Sequence, residues 1–131
     1  TSNPVIDIIE SQKGLEETGG TMRLGGYRCN LGSGTLAKKV YNQNSITERH
    51  RHRYEFNDYY KEKLNSSGFV TSGICPDNNL VEVSEIFDHP FMIGSQFHPE
   101  FGSRLDRPHP LFDHFLKACA NQKKIGAQFK L

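Results

Sequence analysis

Gln96-Phe97-His98-Pro99-Glu100-Phe101, preceded by the apolar run Phe91-Met92-Ile93-Gly94, is the stretch on which the reading of this chain turns. The apolar run reads as a buried strand. Proline pushes the residue before it into extended geometry, so His98 is expected to keep the strand's direction as the strand ends. In extended chain, residues two apart share a side, so His98 and Glu100 are expected to project together from the strand's C-terminal end into one cleft. A carboxylate beside an imidazole fixes its tautomer and stabilises the imidazolium, as a general base working on a nucleophile requires. On spacing alone the same two residues also suit a strand-ending turn in which they merely pair.

Working back from that stretch, Leu80-Val81-Glu82-Val83-Ser84-Glu85-Ile86-Phe87 reads as a half-alternating strand. A turn at Pro76-Asp77-Asn78-Asn79 separates it from a strand at Phe69-Val70-Thr71-Ser72-Gly73. Asn57 suits the cap of a helix over 58–66 that Gly68 closes. Residues 47–56 alternate, with Arg49, Arg51 and Arg53 on one parity and His50, His52 and Tyr54 on the other. Ser33-Gly34-Thr35 offers capping hydroxyls to a short helix at Leu36-Ala37-Lys38-Lys39-Val40-Tyr41. Met22 and Leu24 are expected to pair back on residues 27–31 around Gly25-Gly26. Val5-Ile6-Asp7-Ile8-Ile9 has the near-continuous apolar pattern of a strand covered on both faces, and residues 11–20 read as an exposed loop. Beyond the opening stretch, Pro110 starts a helix over 111–122 whose expected apolar face is Leu111, Phe112, Phe115, Leu116 and Cys119. Strands mixed with helices argue an α/β fold, with some antiparallel pairing toward one edge.

The chain has 131 residues, 35% of them hydrophobic, enough for one domain with a core. A net charge of +1 gives no global pull toward nucleic acid or a membrane surface. No apolar segment approaches the roughly 20 residues a bilayer requires, and no secretory leader opens the chain. Three cysteines without paired spacing fit a reducing compartment, so a cytoplasmic location is expected. The missing initial Met and a strand starting at Pro4 suggest a piece of something longer. The domain is expected over 1–124, with 125–131 as a fraying tail.

The run Arg49-His50-Arg51-His52-Arg53 lacks the interleaved aromatics of a nucleic-acid surface, so nucleic-acid binding is not expected. His50 and His52 have metal-compatible spacing, but the sequence offers no Cys or carboxylate that completes a set, so no metal site is expected. One of the arginines could offer its planar fork to a small carboxylate ligand; arginines on a solvated strand edge are the plainer alternative. His98 and Glu100 need a nucleophile. Cys119 is expected in the core, Cys29 lies mid-strand, and Cys75 is followed by Pro76 and Asp77 where a nucleophile elbow needs a helix start. No cysteine of this chain is expected to serve.

Three segments carry a resemblance: Gly19-Gly20-Thr21-Met22-Arg23-Leu24-Gly25, Glu48-Arg49-His50-Arg51-His52-Arg53-Tyr54-Glu55, and Gln96-Phe97-His98-Pro99-Glu100-Phe101. With His89-Pro90-Phe91 and His109-Pro110-Leu111-Phe112 in the same order, the chain resembles the C-terminal half of the class I glutamine amidotransferase domain of the CTP synthase family. The resemblance implies the later strands and last helix of a flavodoxin-like, mostly parallel sheet with helices on both faces. It implies a glutaminase that takes L-glutamine and delivers ammonia for the ATP-dependent amination of UTP to CTP. It makes His98 the general base and acid, Glu100 its orienting acid and Arg53 a binder of the substrate's amino-acid carboxylate. The family's nucleophilic cysteine and oxyanion glycines lie upstream, so this chain alone is expected to be inactive. Mg²⁺, ATP and UTP are assigned to a synthetase domain further upstream, and no cofactor to this chain. Residues 11–20 correspond to a region that faces that domain and responds to the activator GTP. The intact protein is expected to be a homo-oligomer. A non-catalytic assembly fragment, or another class I amidotransferase, are the alternatives.

Overall fold

The computed structural model describes residues 1–8 and 22–128, without the side chains of residues 124–128. The expected loop at 11–20, Ile9 and the start of the Gly19–Gly25 segment lie outside the described residues. The described residues form seven strands and three helices in the order β1 (Ile6–Ile8), β2 (Arg23–Leu31), α1 (Leu36–Tyr41), β3 (Ser45–His52), β4 (Tyr54–Phe56), α2 (Lys61–Asn65), β5 (Phe69–Ile74), β6 (Val81–Ile86), β7 (Ile93–Ser95) and α3 (Pro110–Gln128). Single 3-10 turns stand before α2 (Asp58–Tyr60) and after β7 (Pro99–Gly102).

Five strands make one sheet in the order β3-β2-β5-β6-β7, while β1 and β4 pair separately. Every pairing among the described strands is antiparallel. The α/β character is as expected, but the mostly parallel arrangement is not what these strands form. Their connections are short: six residues join β5 to β6 and six join β6 to β7, whereas a parallel crossover needs about a dozen or more. β1 is a strand, but Ile6 is 53% exposed, so it is not covered on both faces. Residues 23–31 form one strand and not a hairpin. β2 pairs with β3 continuously from Arg23↔His52 to Asn30↔Ser45. Gly25, at φ +99°, lets the strand bend there without turning back.

α1 sits where its local signals put it. Thr35 Oγ1 accepts from Lys38 N at 3.1 Å, and Asn42 ends the helix in the left-handed region. Its first turn also meets β6, because Glu85 accepts from Leu36 N at 2.7 Å and Ala37 N at 3.0 Å. Cys29, Leu31, Ala37, Val40, Tyr41, Ile46, Val83, Phe97 and Leu111 form the core between α1, the sheet and the start of α3.

α3 runs on to Gln128, past the expected end at 122. Its expected apolar face is only partly the buried one. Leu111 is in the core, but Phe112, Leu116 and Cys119 are exposed, and Phe115 is half-exposed against the Phe91 ring at 5.8 Å. The rotation of α3 is fixed at its start, where buried His109 accepts from Leu111 N and reaches Glu48 of β3. That anchor turns Leu111, His114 and Ala118 inward. Cys119 is therefore not a core residue.

Candidate active site

β7 ends at Ser95, and the chain stays extended through His98 (φ −106°, ψ 91°), as its place before Pro99 requires. His98 N donates to Arg49 O at 2.9 Å, which fastens this extension to edge strand β3. Glu100 lies inside the following 3-10 turn, not in extended chain. The pair meets all the same, with His98 Nδ1 2.7 Å from Glu100 Oε1. The turn folds the carboxylate back on the ring, where strand parity would have set them side by side. The hydrogen bond from His98, with Arg51 nearby, holds the Glu100 carboxyl below its usual range. A neutral imidazole has one N–H; donated from Nδ1 to Glu100, it leaves Nε2 as the basic nitrogen. The Phe101 ring stacks on the His98 ring at 5.2 Å, so carboxylate and aromatic together fix the imidazole's orientation.

β3 divides its residues as the alternation predicts: Arg49 and Arg51 are exposed, His50 is buried and His52 nearly so. Arg53 occupies the bend between β3 and β4 and is half-buried. Arg23, which the sequence reading gave no such part, makes a buried fork. Its NH1 reaches Glu55 Oε1 at 3.1 Å and its NH2 reaches Glu82 Oε1 at 2.7 Å, with Tyr27 beneath it at 4.2 Å. Burial pushes Glu55 up to about 7 and raises Glu82 as well. Burial, helped by Arg23, pulls His50 down to about 3 and His52 to about 4. His50 Nδ1 and His52 Nε2 are 2.7 Å apart.

Glu82 is the carboxylate the sequence did not reveal beside the two histidines, since the three ligand atoms lie within 4.8 Å of one another. The His50–His52 separation is that of a hydrogen bond, and Arg23 already occupies the other Glu82 oxygen. We therefore describe these residues as a buried polar junction. A second junction was equally silent in sequence: Glu48 Oε1 accepts from Tyr41 Oη at 2.9 Å and lies 2.9 Å from His109 Nε2.

Cys29 and Cys75 are fully buried, and burial pushes the Cys29 thiol up to about 12. Cys75 N donates to Leu80 O and Cys75 O accepts from Asn79 N, so Cys75 belongs to the β5–β6 turn and not to a strand-to-helix elbow. Among the described residues no cysteine meets His98.

The class-I glutamine amidotransferase family model matches residues 4–118. A CTP synthase of Halalkalibacterium halodurans is 56% identical over 118 residues, covering 90% of this chain and 22% of that protein. A CTP synthase of Caldanaerobacter subterraneus subsp. tengcongensis is 54% identical over 98% of this chain and 24% of its own length. The chain thus spans less than a quarter of the curated relatives it matches. Among solved structures, the glutaminase domain of Trypanosoma brucei CTPS with bound acivicin superposes with a TM-score of 0.81 at 31% identity, over 92% of this chain and 47% of that one. With the His98–Glu100 pair on the strand end and this likeness over nearly its whole length, the chain belongs to the class-I glutamine amidotransferase family and corresponds to part of a CTP synthase glutaminase domain.

Proposed function

We propose that this chain supplies the general base and the substrate-carboxylate anchor of a glutaminase site that feeds ammonia to the amination of UTP to CTP. The observation that supports this most is the 2.7 Å His98–Glu100 contact in a chain more than half identical to CTP synthases. In the reaction, a cysteine from the remainder of the protein attacks the side-chain amide carbon of glutamine. His98 Nε2 takes the thiol proton and passes it to the leaving nitrogen, releasing ammonia. Water then adds to the thioester with His98 as base, giving glutamate and free thiol. Glu100 holds the ring and stabilises the imidazolium, and Arg53 holds the α-carboxylate of glutamine. Mg²⁺, ATP, UTP and the activator GTP belong to the synthetase part of the whole protein, and no residue here is assigned to hold them. The same reading makes this chain alone inactive, because its described cysteines do not face His98.

The test is glutamine hydrolysis by the whole protein and its variants. His98→Ala should lower kcat by roughly 10²–10⁴-fold with little change in KM. Arg53→Lys should instead raise KM by roughly tenfold, because an ammonium cannot present a planar fork. Full hydrolysis in the His98 variant would remove the reading. Hydrolysis by the 131-residue chain itself would return Cys75 to consideration as the nucleophile.

A further inference from the structure

We propose that Gln96 is a positioning residue whose side-chain amide fixes the strand end carrying His98 against the turn carrying Arg53; this rests on the glutaminase reading above. Gln96 N donates to Glu82 O at 2.8 Å, so its backbone carries the β6–β7 pairing one residue beyond β7. Its side chain then leaves the five-stranded sheet. Nε2 lies 2.5 Å from Tyr54 O and 2.9 Å from His52 Nδ1, the residues on either side of Arg53. Two residues further on, His98 N donates to Arg49 O. Segment 96–98 is thereby held to β3 at one end and to the β3–β4 bend at the other. The need for such a link follows from the topology. Among the described strands β4 pairs with β1 and not with the large sheet, so no ladder joins β4 to β7. The Arg23 fork also joins β4 to β6, at Glu55, two residues beyond the bend, and Glu82.

The amide also decides a tautomer. Its two N–H groups meet two acceptors, and accepting at Nδ1 places the proton of neutral His52 on Nε2, facing His50 Nδ1. Tyr54 O lies 3.1 Å and Glu55 Oε1 3.4 Å from the same Nδ1, with Arg23 on the far side of Glu55. Without the amide donor, Tyr54 O is the nearest partner left and draws the proton to Nδ1.

The experiment uses the whole protein with ¹⁵N-labelled histidine, parent against Gln96→Met, which keeps the side chain's length and removes the amide. The His52 ring nitrogens should report Nε2–H in the parent and Nδ1–H in the variant. In glutamine hydrolysis the variant should lose roughly 10- to 100-fold in kcat/KM, with KM rising and kcat falling together as Arg53 and His98 shift relative to each other. A merely structural lesion would lower the active fraction and leave KM in place. Nδ1–H already present in the parent, or kinetics within twofold of it, overturns the proposal. If Gln96→Met does not fold, Gln96→Glu, an acceptor without a donor, should give the same Nδ1–H signal. A parent that hydrolyses no glutamine removes the glutaminase reading, while the tautomer readout still decides whether Gln96 holds the bend.

Discussion

His98 takes its chemical asymmetry from one neighbour: Glu100 claims Nδ1, so Nε2 is the nitrogen left for chemistry. The pair was legible because both members stand within one hexapeptide, although a 3-10 turn brings them together and not strand parity. The cysteines divide as sharply. Cys29 and Cys75 have no exposed surface, so neither offers its sulfur to a reagent in solution, and burial also pushes the Cys29 thiol up to about 12. Cys119 is exposed on α3. Iodoacetamide at pH 8 should therefore label the folded chain once, at Cys119, and all three sites only in denaturant; peptide mass mapping reads the result. Rapid labelling of Cys29 or Cys75 in the native chain would mean that the β2–β5 core opens. The inward place expected for Cys119 failed because an amphipathic helix carries more than one stripe with a 3.6-residue period. The Glu48–His109 junction, 61 residues apart in sequence, chose among them.

Among the elements, β5 depends on the smallness of one residue. A Cβ on Gly73 would stand 2.7 Å from Cys29 Sγ and 2.8 Å from Val83 Cγ2, both in the core. The β5–β6 register shifts at this residue, so strand and side chains have already adjusted to the close approach. Gly73→Ala should cost roughly 1–3 kcal/mol, seen as a lower urea midpoint at unchanged slope. Gly94→Ala on β7 is the control, because the nearest atom to its Cβ is Ser84 O at 4.0 Å. Equal midpoints for the two variants would show that the Cys29–Val83 layer yields easily. Strands β5 and β6 and the turn between them could be read directly from residues 69–87, since turn chemistry and apolar pattern are local. The expected hairpin at Gly25-Gly26 shows the limit: two glycines allow a reversal, but eight consecutive pairs with β3 keep β2 a single strand that only bends there.

At the scale of the molecule, the α/β class was legible from composition and pattern, whereas strand direction was not, because local sequence does not state which neighbour a strand will choose. The buried junction of Arg23, His50, His52, Glu55 and Glu82 joins four strands and has no local signature, yet it sets how the fold responds to pH. His50 and His52, at about 3 and about 4 against an ordinary 6.5, refuse protons that the unfolded chain accepts, so their contribution is lost as pH falls below about 6.5. Glu55, at about 7 against 4.5, acts with the opposite sign. Folded, it keeps a proton that the unfolded chain releases, so its contribution is lost as pH rises from about 4.5 to about 7. The cause is burial, which the Arg23 guanidinium offsets only in part because it also serves Glu82, whose contact is the shorter, 2.7 Å against 3.1 Å. Glu55→Gln removes only this term. The stability of the variant relative to the parent should therefore improve by roughly 2–3 kcal/mol between pH 4.5 and 7 and level off above, as measured by urea unfolding at a series of pH values. Two curves that stay parallel across that range would mean that Glu55 titrates in the folded chain as it does in the unfolded one, so that Arg23 offsets its burial in full.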